Sequence, residues 1–159
     1  MRKVILTLVF IICPLFVMAV LPVKDSEYEI EMAEIGEPGT LVVKVWCYNK
    51  KPNIDEQTAL MNAVKGVMFK GVSDAGRMKG RRALVKTGYD SNPEYFDSFF
   101  SNNEFMEYAH IGVNNYVAQD DLIKIKKNYK IGKIVVVHFN ELRKRLENDK
   151  IIEGLDSGF

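Results

Sequence analysis

Two histidines, His110 and His138, are all the imidazole this chain has, so general acid–base catalysis by a neutral-pH side chain rests on them. Neither has a Ser, Cys or Asp partner placed beside it by local sequence. The alternation of Ala109, Ile111 and Val113 turns His110 to the opposite, solvent side of its strand. His138 stands where an apolar run hands over to a helix, a place that favours the neutral ring and lets it cap exposed amides. Zinc spacing is absent, because there is no H-x-x-x-H and no cysteine pair, so no metal site is expected. Cys47 falls on the apolar face of a strand and is expected to be an inert buried thiol. No catalytic constellation and no cofactor motif emerges.

Charge and aromatic groups offer richer chemistry. Arg77, Lys79, Arg81 and Arg82 crowd a segment that contains Gly76 and Gly80 and runs on to Lys86. Glycines expose backbone amides, and arginines present bidentate donors to phosphate, sulfate or carboxylate. Gly-Lys-Ser/Thr is missing, so this is not a Walker loop. A second candidate is Trp46 with Tyr48, on one strand face with Lys44. Left uncovered by helices, that face is the amphipathic kind that interfaces favour. Asp120-Asp121 follows an oxygen-rich stretch, 114–119, without EF-hand spacing, and reads as a turn between strands.

The elements that must position these groups follow from periodicity. Tyr28, Ile30 and Met32 alternate with Glu29 and Glu31, and residues 36–39 (Gly-Glu-Pro-Gly) form a turn. Leu41, Val43, Val45 and Cys47 then share one strand face, with Val42, Lys44, Trp46 and Tyr48 on the other. Asn53, with Glu56 three residues later, predicts a capped helix carrying Ile54, Met61, Val64 and Met68, widened by Ala63 and Val67 and stopped at Gly71. Residues 72–91 show no sustained period and read as a long connection, with a short strand at Ala83-Leu84-Val85. Asn92-Pro93 opens a second helix whose apolar face is Phe96, Phe99 and Phe100. Strands around residues 109–113, 123–125 and 131–137 follow, the last apolar on both faces and hence central. Phe139, Leu142 and Leu146 mark a closing helix. The expected fold is α+β: a mainly antiparallel sheet of about five strands with two or three helices on one face.

The N-terminus supplies an address. Arg2 and Lys3 precede an uncharged run over residues 4–23, and Val17-Met18-Ala19 fits a small-x-small exit. The expectation is a signal peptide over residues 1–19, a flexible segment over 20–27, one domain over 28–152 and a flexible tail over 153–159. An uncleaved tether is the alternative, since a run of about 20 residues can cross a bilayer. Cys13 lacks the small residue before it that lipoprotein processing needs. The leader takes Arg2, Lys3 and Cys13 with it. Of 22 basic side chains 20 then remain against 21 acidic ones, a balance with no general pull toward nucleic acid or anionic lipid. Cys47 is left as the one thiol, so the core must supply stability without a disulfide.

Lys133-Ile134-Val135-Val136-Val137, Leu142-Arg143, Leu146-Glu147 and Ile151-Ile152, with the Asn53 helix bearing Ala59, Ala63 and Val64, resemble small bacterial envelope modules. Such modules occur in outer-membrane lipoproteins and flagellar accessory proteins. The resemblance spans about residues 40–152, departs from the lipoproteins in lacking a lipobox, and carries over no catalytic residue. The expected leader, the lack of a catalytic constellation and the candidate surfaces at Trp46/Tyr48 and Arg77 to Lys86 together suggest an exported, non-enzymatic binding or assembly module of the cell envelope, periplasmic or secreted, with an envelope protein or glycan as partner. The alternative is an exported hydrolase-type enzyme using His110 or His138 with a distant carboxylate.

Overall fold

The computed structural model describes residues 28–112 and 121–154. The expected leader, the 20–27 segment, Val113, the 114–119 stretch, Asp120 and residues 155–159 lie outside them.

Alternating side chains build one antiparallel sheet. Its strands are β1 (Tyr28–Glu34), β2 (Leu41–Asn49), β3 (Ala109–Ile111), β4 (Leu122–Ile125) and β5 (Asn128–Val137). The order is β1-β2-β5-β3, with β4 also on β5. β2 runs along one side of β5, Leu41 opposite Val137 and Asn49 opposite Tyr129. On the other side β3 pairs with residues 135–137 and β4 with residues 128–131. β5 is therefore central, as its two apolar faces require.

Three helices cover one face: α1 (Glu56–Lys65), α2 (Pro93–Ser101) and α3 (Phe139–Asn148). The α+β expectation holds. Val43, Val45, Val135 and Val137 are fully enclosed with Val64, Met68, Phe96, Phe99, Leu142 and Leu146 in one core. Phe69, Phe96, Phe99 and Phe100 meet edge to face, the arrangement ring quadrupoles favour.

Several local expectations are corrected. Asp55, not Asn53, caps α1, its carboxylate accepting from the amides of Gln57 and Thr58. Two Asx residues stand in the right neighbourhood, and Asn53 instead gives its carbonyl to the Asn49 amide group, 2.7 Å away. The apolar stripe is rotated accordingly: Leu60 is buried, and Met61 lies at the border of the core. α1 widens into a π-helical turn over Gly66–Lys70 before stopping at Gly71 as expected. Asn92 precedes α2 but makes no side-chain cap bond.

The long connection is partly ordered. Val72 and Arg81 exchange backbone bonds of 2.7 and 2.9 Å, and Ala75 and Met78 exchange bonds of 3.1 and 2.9 Å. A two-residue turn at Gly76-Arg77 joins the arms of this small hairpin. Ser73 docks it beside β1, donating to Ile30 O and accepting from Met32 N. No strand forms at Ala83-Leu84-Val85. The amides of Leu84 and Val85 bond to the carbonyls of Val67 and Met68 at 3.2 and 2.8 Å, which ties the segment to the π turn.

Candidate functional site

The hairpin determines where the basic residues go. A Cβ on Gly80 would sit 1.9 Å from Val72 O, so only glycine lets the two arms approach. Asp74 clips the turn, accepting from the Gly80 amide at 2.7 Å and from Lys79 Nζ at 3.1 Å. These bonds, that of Gly80 first, hold the Asp74 carboxyl below its usual range.

The basic cluster is split as a result. Arg77 occupies the exposed turn, and Lys79 is spent on Asp74. Arg81 and Arg82 instead enter one wall of a cleft of about 620 Å³, together with Ala83, Leu84, Lys86 and Thr87. The facing wall is Phe139 and Arg143 from the start of α3, and Ile151, Ile152 and Glu153 beyond its end. Bonds from the amides of Ile151 and Ile152 to Leu146 O fold this last segment back onto the helix. Arg81 lies with its guanidinium carbon 5.4 Å from the Phe139 ring centroid. Arg143 is held by Glu147 at 2.7 Å. Arg81, Arg82 and Lys86 make no ion pair among the described residues. The cleft therefore joins an apolar floor to three cations that form no ion pair among the described residues, with Glu153 as the one carboxylate among its described lining residues. An anionic group gains most from such a rim when its own apolar part displaces water from the floor.

Trp46 and Tyr48 lie, as their spacing predicts, on the face away from the helices. Their polar ends are already occupied. Trp46 Nε1 donates to Glu31 at 2.9 Å, and Tyr48 Oη donates to Glu29 at 2.6 Å. Lys130, opposite Tyr48 on β5, reaches Glu29 at 2.7 Å and lies 5.0 and 5.7 Å from the Trp46 and Tyr48 ring centroids. Lys44 bridges to Asp121 at 2.6 Å, so this residue, which lies between β3 and β4 as expected, is also one end of a cross-sheet ion pair. The indole spreads over Gly132, its register partner on β5, where a Cβ would come within 3.0 Å of the ring. Hydrogen bonds from Lys130 and then Tyr48 hold Glu29 below its ordinary range, and the Glu29 bond pushes Tyr48 up. Burial alone would lower Lys130, but its bonds to Glu29 and Tyr48 more than offset that and raise it.

The histidines, 28 residues apart, meet. His110 Nδ1 and His138 Nε2 are 3.1 Å apart. His138 is the N-cap residue of α3 but makes no capping bond with its side chain. Its Nδ1 faces Glu141 Oε2 at 3.9 Å, a carboxylate from the same helix rather than a distant one. Cys47 is buried, accepts from the Asn62 amide group at 3.3 Å and has its thiol pKa pushed up by burial. It has the setting of a core thiol.

Sequence reasoning found Arg81 and Arg82 but missed Arg143, Phe139, Ile151 and Ile152. The i, i+4 pair Arg143–Glu147 and the apolar Ile151-Ile152 after a helix end were the available signals. No helix of the described residues is long and apolar enough to cross a membrane. In comparison with known proteins, no family model, no curated protein and no solved structure matches this chain.

Proposed function

We propose that this chain is an exported, non-enzymatic binding or assembly module of the cell envelope, working through the cleft between residues 81–87 and α3. Its occupant is an acidic peptide segment of an envelope partner, with carboxylates on the Arg81, Arg82 and Lys86 rim and an apolar side chain on Leu84, Phe139 and Ile152. The observation that carries the reading is the juxtaposition of an apolar floor with three cations that form no ion pair among the described residues. Support for export comes from Arg2, Lys3 and the uncharged run behind them.

Binding is tested with fluorescent peptides that alternate Asp or Glu with Leu or Phe, against equally apolar peptides carrying Ser in place of the acids. The acidic set should bind, and its affinity should fall as salt rises, because exposed charge pairs are screened. Arg81→Glu combined with Arg82→Glu should cost at least tenfold, about 1.4 kcal/mol. Equal binding of both peptide sets, or indifference to the double substitution in a folded variant, would sink the proposal.

A further inference from the structure

The His110–His138 pair belongs to neither the cleft nor the core, and its geometry suits a ligand. Register makes it. His110 lies opposite Val136, and His138 follows Val137 with its amide bonded to Tyr108 O at 2.9 Å. The two side chains are thus diagonal neighbours on one side of the sheet, within reach of each other's rings. Among the described residues that side carries no helix. His110 is exposed and the His138 side chain keeps 33% of its surface, so an ion from solvent can reach both.

We propose that His110 Nδ1 and His138 Nε2 form a two-nitrogen site for a late first-row divalent ion, Cu²⁺ before Zn²⁺. Two metal–imidazole bonds of about 2.0–2.1 Å place their nitrogens about 3.3 Å apart at a tetrahedral angle and about 2.9 Å apart at a square-planar one. The observed 3.1 Å lies between the two. The nitrogen separation of the pair therefore suits an ion, and rotation of the rings about their side-chain bonds turns both lone pairs from each other toward it.

Proton bookkeeping is simple. In the metal-free pair one facing nitrogen carries a proton and donates it to the other. Metal binding needs both facing lone pairs, so the donor ring shifts its proton to its outer nitrogen and a neutral pair releases none. For His138 that outer nitrogen is Nδ1, which already faces Glu141. A turn of the exposed Glu141 side chain brings its carboxylate from 3.9 Å to hydrogen-bond distance of that nitrogen, where it fixes the ligand's tautomer and raises its basicity. Glu141 is a positioning residue in this scheme. Solvent or a small anion completes the coordination.

The untagged chain is titrated with Cu²⁺ and Zn²⁺ by calorimetry at neutral pH, and its one-to-one Cu²⁺ complex is examined by electron paramagnetic resonance. One equivalent should bind, Cu²⁺ more tightly, following the general order for imidazole sites. His110→Ala and His138→Ala should each weaken binding at least tenfold. The count of coupled imidazole nitrogens should drop from two to one in either variant. Glu141→Gln should weaken binding severalfold while keeping two nitrogens. Circular dichroism checks the fold, and Gln replaces Ala at either histidine if the Ala variant is not native. Failure of the wild type to bind, an unchanged affinity in either folded histidine variant, or an unchanged nitrogen count overturns the site.

Discussion

The two faces of the sheet are cut from the same strands yet held by different forces. Along β2, Val43, Val45 and Cys47 face the helices and lose essentially all contact with water. Their neighbours Lys44, Trp46 and Tyr48 stay half-buried in a lattice of charged and aromatic contacts with Glu29, Glu31, Asp121 and Lys130. Cohesion on the helix side scales with apolar area and is indifferent to ionic strength. On the other side it depends on paired charges that water and salt compete for. A fold that buries one face can leave the second responsive to its medium, and the histidine pair sits on that second face.

The largest effect should come from breaking the helix-side core. Val45 is fully enclosed, and Val45→Ala should destabilise by about 2–3 kcal/mol through lost transfer energy and a residual cavity. Urea unfolding should show the same loss at low and high salt. One residue along, Trp46→Ala removes a larger side chain from the other face but should cost less, about 1–2 kcal/mol, because the indole is only half-buried. Equal costs for the two variants would erase the distinction between faces. Gly132→Ala probes the same contact from below, since its Cβ would push against the indole at 3.0 Å and Asp121 at 3.1 Å. It should move Trp46 fluorescence.

Much of this division was legible in the chain. Strict alternation over residues 43–48 separates the two faces by itself, and the apolar run of residues 134–137 marks the central strand, which β2 and β3 flank on its two edges. Phe96, Phe99 and Phe100 declare a buried helix face in the same way. What resisted reading was contact made through space. The 72–81 hairpin has arms too short to show a period, and its key feature is a missing Cβ at Gly80. The cleft joins residues 81–87 to residues 139–153, which no local pattern links. His110 and His138 meet only because β3 and β5 pair in one register; sequence spacing pointed away from any shared site.

A middle-sized effect isolates the electrostatic share of the second face. Lys130→Met keeps the aliphatic stem but removes the ammonium that serves Glu29 and lies near both aromatic rings. The loss should be about 0.5–1 kcal/mol at low salt. It should shrink toward zero at 1 M NaCl, where the screening length is about 3 Å. A loss that is constant across salt would assign Lys130 to packing and blur the comparison with Val45.

The smallest effect, Glu29→Gln, carries its signature in pH. The carboxyl is held below its ordinary range by Lys130 and Tyr48 in the folded chain and returns to that range when the chain unfolds. A depressed folded pKa stabilises the native state above the unfolded value. That contribution fades as pH falls from the ordinary carboxylate range through the folded pKa. Glu29 is exposed, so solvent screening holds the contribution to a few tenths of a kcal/mol. Wild type and Glu29→Gln should therefore differ in urea midpoint at pH 7 and converge as pH falls below the folded-state pKa of Glu29, while Val45→Ala keeps its deficit throughout. Convergence would show that charge on this face, and not shape, sets the difference at residue 29. A deficit for Glu29→Gln that persists once the carboxyl is protonated in the folded chain would mean the side chain acts by packing, and the two faces would then differ only in degree.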